Sequence, residues 1–101
     1  VSRIEDYCRK NLIAPRTCNR IQLAFEELVH QVLLPSIDEP DIDAVIEYSE
    51  ETNEAVMSVK HNMKGVNPLE NADELSVSVL NGIASNIEYD NDTETISIFM
   101  K

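Results

Sequence analysis

Between residues 17 and 34, apolar side chains recur at Ile21, Ala24, Phe25, Leu28, Val29 and Val32. Spacing by threes and fours lays one stripe along one side of a helix. It predicts a helix from about Thr17 to Leu34, stopped by Pro35. Ahead of it, Ile4, Tyr7 and Cys8 mark a shorter helix over residues 2–11, with Ser2 in the N-cap position and a break at Pro15. The period then changes. In "IDAVIEYS" the apolar Ile42, Ala44, Ile46 and Tyr48 alternate with Asp43, Glu47 and Ser49, as in a half-buried strand. "EETNEA" turns the chain, and "AVMSVKH" returns as the hairpin partner. A loop, "NMKGVNPLE", leads to a third helix with Leu75, Val79, Leu80 and Ile83 inward, opened by a capping box from Asn71 and Glu74. "NIEYDNDTETISIFMK" reads as a second hairpin, turning at Asp90–Asp92, with Ile96, Ile98 and Met100 on one face. The predicted order is α-α-β-β-α-β-β. Such elements pack as an α+β two-layer sandwich, a largely antiparallel four-stranded sheet with helices on one face.

Composition narrows the setting. With 101 residues, 43% of them hydrophobic, the chain suits a single domain, and a start at Val1 suggests a piece of a longer protein. No apolar run approaches the ~18 residues of a membrane span, and no signal peptide is recognisable. Two cysteines, Cys8 and Cys18, make no disulfide framework, so a reducing, cytoplasmic location is expected. The net charge of −11 argues against nucleic acid, whose affinity rests on lysine and arginine. The charge is also uneven. The first 20 residues hold five basic side chains against two acidic ones, and the remainder three against seventeen. Such a balance is either an ordinary solvated acidic surface or a basic patch or acidic face that steers a partner.

Three stretches carry candidate chemistry: "LAFEELVHQVL", "VKHNMKGVNP" and "DELSVSVLNGIASNIEYDNDTETISIFMK". Together with the element order, they resemble the GHKL (Bergerat-fold, histidine-kinase-type) ATPase domain, most of all its small anti-sigma-factor serine-kinase branch. That family carries a Glu and, four residues on, an Asn on a long helix. A strand pair ending in Asp-x-Gly-x-Gly follows, then a lid, a glycine-containing helix start and a final hairpin. The resemblance places Glu27 at the catalytic Glu, which polarises the attacking water or hydroxyl, and Gln31 at the magnesium-binding Asn. It places His61 at the Asp that accepts from the adenine amino group, with Met63 and Gly65 at the two glycines of that box.

The residue types at those positions point to a degenerate site. Gln31 is one methylene longer than Asn, and Mg²⁺ holds a near-ideal octahedron. His61 offers one acceptor when neutral and none when protonated. A lost buried hydrogen bond costs ~1–3 kcal/mol. Met63 brings a thioether to a place where the family brings backbone close to the base. The third helix opens on Glu70, Asp73 and Glu74, where a phosphate site wants free N–H groups. No cofactor is therefore expected, with ATP and magnesium entering only if the site still functions. The expected function is a regulatory, protein-interaction domain with a vestigial Glu27. The alternative is an ATP-binding, anti-sigma-factor-like serine kinase domain. The expected partner is a protein or a neighbouring domain of the same chain, with no nucleic acid and no membrane insertion, and a homodimer stays open. His30 and His61 with Cys8 and Cys18 lack metal-ligand spacing. Met57, Met63 and Met100 read as core fillers.

Overall fold

A computed structural model describes residues 2–62 and 67–101. Met63 and Gly65 lie outside the described residues. The chain forms α1 (Ser2–Lys10) and α2 (Pro15–Phe25), a π-helical segment (Glu26–Leu33) and a final helical turn, α3 (Leu34–Ser36). The hairpin β1 (Asp43–Ser49) and β2 (Glu54–Lys60) follows. A 3₁₀ turn (Pro68–Asn71) leads to α4 (Glu74–Ile83) and the hairpin β3 (Asn86–Asp90) and β4 (Thr95–Met100). The strands make one four-stranded antiparallel sheet in the order β1-β2-β4-β3. This is the α+β order that the periodicities predict. Among the described residues no helix is long and apolar enough to cross a membrane.

Register explains where the core sits. Met57 lies between Ile46 and Ile98, and Ile98 in turn faces Ile87. The next row runs from Ala44 through Val59 and Ile96 to Tyr89. In the two middle strands every inward residue is sealed: Ala55, Met57, Val59, Ile96, Ile98 and Met100 are all 0% exposed. Helix α2 lies over β2 and β4. Against them it presses Ile21 and Ala24, and the π segment adds Leu28, Val29, Val32 and Leu33 to the same core.

The long helix departs from its predicted form. It begins at Pro15, ahead of the predicted Thr17, because proline in the first helical turn sacrifices no hydrogen bond. It also continues through Pro35 for one more turn. Its middle is π-wound, with i→i+5 hydrogen bonds and a wider turn. The consequence is visible at Leu33. A regular α-helix would leave it about 120° round from Ile21, yet it is fully buried. Under π winding, Leu28 and Leu33, five apart, share a face. Phe25 and His30, also five apart, meet edge to face with ring centres 5.8 Å apart.

Helix α4 starts later than the Asn71–Glu74 box predicts. Asn71 ends the 3₁₀ turn, and Asp73 is the N-cap, its carboxylate accepting from the Leu75 N–H at 2.9 Å. Leu75, expected inward, is 72% exposed, while Ser76 and Leu80 are buried. Five residues before Leu80, Leu75 is turned about 140° away from the inner stripe.

The turn between α1 and α2 closes as a Schellman motif: the Ile13 N–H donates to the Cys8 carbonyl at 2.9 Å. The residue at its left-handed position is Leu12, at φ 54° with 87% of its side chain exposed. A left-handed leucine costs roughly 1–2 kcal/mol, and glycine gives back roughly 0.5–1 kcal/mol in chain entropy. Since Leu12 packs on almost nothing, Leu12→Gly should stabilise the fold by about 0.5–1 kcal/mol. Thermal melting should show a rise of a few degrees, and a fall would mean that this turn carries no such strain.

Candidate functional site

Glu27 and Gln31 sit four apart on the π segment, with Glu27 half-buried and Gln31 exposed. His61 follows the last residue of β2, where its backbone N–H donates to the Glu94 carbonyl at 3.1 Å. Its ring is 3% exposed and stacks on Tyr89, with ring centres 6.1 Å apart and planes 11° from parallel. Burial pushes its pKa below the usual histidine value, opposed by the negative charge of Glu94. The ring is thus built into the sheet layer. What the fold gathers around it, Tyr89 and Glu94, is a set the sequence does not announce, because it depends on β2 pairing with β4 of the other hairpin, which neither strand alone writes.

The approach to α4 is dense in carboxylates. The Asn67 side chain accepts from the Leu69 N–H at 3.1 Å and sets the 3₁₀ turn. Beyond it, Glu70 and Glu74 line a cleft of about 420 Å³ together with Leu69, Ala72 and Val77. The Asp73 carboxylate accepts from the N–H of Leu75, in the first turn of the helix.

A second feature escaped the sequence altogether. A groove of about 570 Å³ runs between α1, the long helix and β1, lined by Ile4, Tyr7, Phe25, Val29, Ile42 and Ile46, among others. It exists because the helix layer is centred on β2 and β4. Strand β1 keeps an exposed Ala44 and a half-buried Ile46 on its inner side. Burial in the groove raises the pKa of the Tyr7 hydroxyl.

Cys8 and Cys18 are free, buried and close enough for their thiols to hydrogen-bond. Burial first, and then Cys18, push the Cys8 thiol up to about 12, so it stays protonated and unreactive at neutral pH. Among the described residues, no three His, Cys, Asp or Glu side chains gather as a metal ion would require.

The His61 environment makes stability depend on pH. The unfolded chain takes up a proton near the ordinary histidine value of ~6.5, the folded chain only at lower pH. Stability is therefore intact above that value and is lost as pH falls through it toward the folded pKa. Melting temperature should drop between about pH 7 and pH 5, and His61→Phe should flatten that drop. An unchanged slope in the variant would clear His61 of the effect. No family model, no curated protein and no solved structure matches this chain.

Proposed function

We infer that this is a regulatory, protein-binding domain laid out on a GHKL-like plan, with a nucleotide site that no longer turns over ATP. The observation that carries this is the start of α4. In the resembled family that helix start meets the phosphates. Here Asp73 caps it, and Glu70 and Glu74 stand beside it. A helix N-terminus attracts anions through its free N–H groups and positive dipole end. One of those N–H groups, that of Leu75, is already taken by the Asp73 carboxylate, and a triphosphate would add its charges to those of Glu70, Asp73 and Glu74. His61 supports the same conclusion, since its ring is buried and stacked on Tyr89 rather than open to a base. These residues do not suit Mg-ATP, and Glu27 has no reacting phosphate to serve. What remains is a stable two-layer scaffold with an acidic surface and an apolar groove, which suits binding to another polypeptide.

Thermal melting in Mg-ATP tests this directly. Any ligand held at 100 times its Kd adds ~2.7 kcal/mol, a shift of several degrees in a domain of this size. The expected result is no shift at millimolar Mg-ATP and no phosphate release. Glu27→Ala should leave both readings unchanged and move stability by no more than ~0.5 kcal/mol. Magnesium-dependent hydrolysis that disappears in the variant would establish Glu27 as a working base and the chain as an ATPase or kinase.

A further inference from the structure

Strand β1 lies at the edge of the sheet, paired with β2 alone. Its inner side is incompletely covered, and the groove opens alongside it. Its charge is one-sided. From Asp38 to Glu54 the chain carries eight carboxylates and no lysine or arginine. They are exposed apart from Glu54, which is half-buried. Asn62 holds this acidic approach in place: its amide donates to the Glu39 carbonyl at 2.8 Å, and its oxygen accepts from the Asp41 N–H at 3.1 Å.

We propose that the β1 edge and its groove receive an extended segment of a protein partner in which apolar side chains alternate with lysine or arginine. The site rests on the protein-binding function inferred above and names its partner's chemistry. An added strand pairs through the backbone, and its side chains alternate between the two faces. On the inner face they meet Ala44, Ile46 and the groove, which selects apolar groups. On the outer face they meet Asp43 and Glu47 on either side of the exposed Val45, and the two carboxylates select cations. A second copy of the chain is the wrong occupant. Pairing β1 with β1 would bring two such acidic segments to a strand spacing of ~4.8 Å, well inside the ~10 Å screening length at 0.1 M salt.

The test uses a fluorescent synthetic peptide of about seven residues, the length of β1, alternating lysine and isoleucine. Two control peptides replace all lysines by glutamate or all isoleucines by serine. Binding is read by fluorescence anisotropy and by backbone amide shifts. The lysine–isoleucine peptide should bind, shift the amides of Ala44 and Ile46, and weaken as salt rises from about 0.1 to 1 M. Both controls should bind weakly or not at all. Ala44→Arg, and separately Asp43→Lys with Glu47→Lys, should each weaken binding by about tenfold or more while melting shows the fold intact. Because Ala44 and Asp43 are exposed, neither variant disturbs the core, and either one suffices should the other fail to fold. The proposal falls if the lysine–isoleucine peptide does not bind or if the serine control binds equally well. It also falls if the shifts centre on Val56 and Phe99 of the opposite face, if the peptide binds as a helix, or if the chain dimerises through β1 instead. None of these outcomes depends on ATP, so a melting shift with Mg-ATP would sink the inferred function separately.

Discussion

The whole molecule is arranged around closing one apolar surface, the inner side of β2 and β4. Those two strands present six fully buried side chains in register, and the helical run from Pro15 to Ser36 lies across them. Burial at roughly 25 cal/mol per Å² of apolar surface makes this the dominant favourable contact. Geometry then dictates the rest. A single helical run covers the middle of a four-stranded sheet more fully than its margins, so both outer strands keep half-buried residues on the inner side. On the β3 side α4 shares in the covering, through Leu80 and Ile83. On the β1 side the short α1 covers less, and the groove is the space left over. The π winding belongs to the same constraint, because it turns Leu33 toward the core that Leu28 and Val32 already face.

Charge follows a separate logic. The basic residues of the first 20 lie on α1 and α2, while the carboxylates concentrate on the hairpins and the loops that lead into them. The ion pair between Arg9 and Asp6, 3.6 Å apart, is exposed and contributes little. The acidic β1 margin also guards the sheet. Like charges along an open strand disfavour indiscriminate pairing with other edges while leaving the backbone available to a strand of opposite charge.

The sequence made the strands legible because period-two alternation with β-branched and aromatic residues has few other uses, and both hairpins fall close to where it placed them. The helices were legible in number but not in winding. Ile21, Ala24, Leu28 and Val32 suit either α or π spacing, and only Leu33 distinguishes them once its burial is known. At α4, Asn71 and Glu74 have capping-box spacing, but Asp73 caps the helix through the Leu75 N–H and the helix starts two residues later. For the candidate site, residue types were readable at Glu27, Gln31 and His61, but their environments were not. The Tyr89 stack against His61 depends on strand register across the sheet. The groove was unreadable for a stronger reason: it is defined by what the helices fail to cover, and no local pattern encodes a gap.

Sheet order has a consequence for the birth of the fold. Strand β4, drawn from residues 95–100, sits between β2 and β3 although it is made after the other three strands of the sheet. A nascent chain that has already formed the β1–β2 hairpin therefore holds Ala55, Met57 and Val59 beside a vacant slot until those residues emerge. Local helices form in microseconds, but the sheet waits for contacts some forty residues apart in sequence, such as Met57 with Ile98. During that interval the half-built sheet exposes two open edges, one acidic at β1 and one at β2 with the fold's most apolar strand face beside it. Synthesis thus leaves the most vulnerable edge of the molecule to be closed last, and Arg20, donating to the carbonyl of Lys101, fastens the chain just beyond that closing strand.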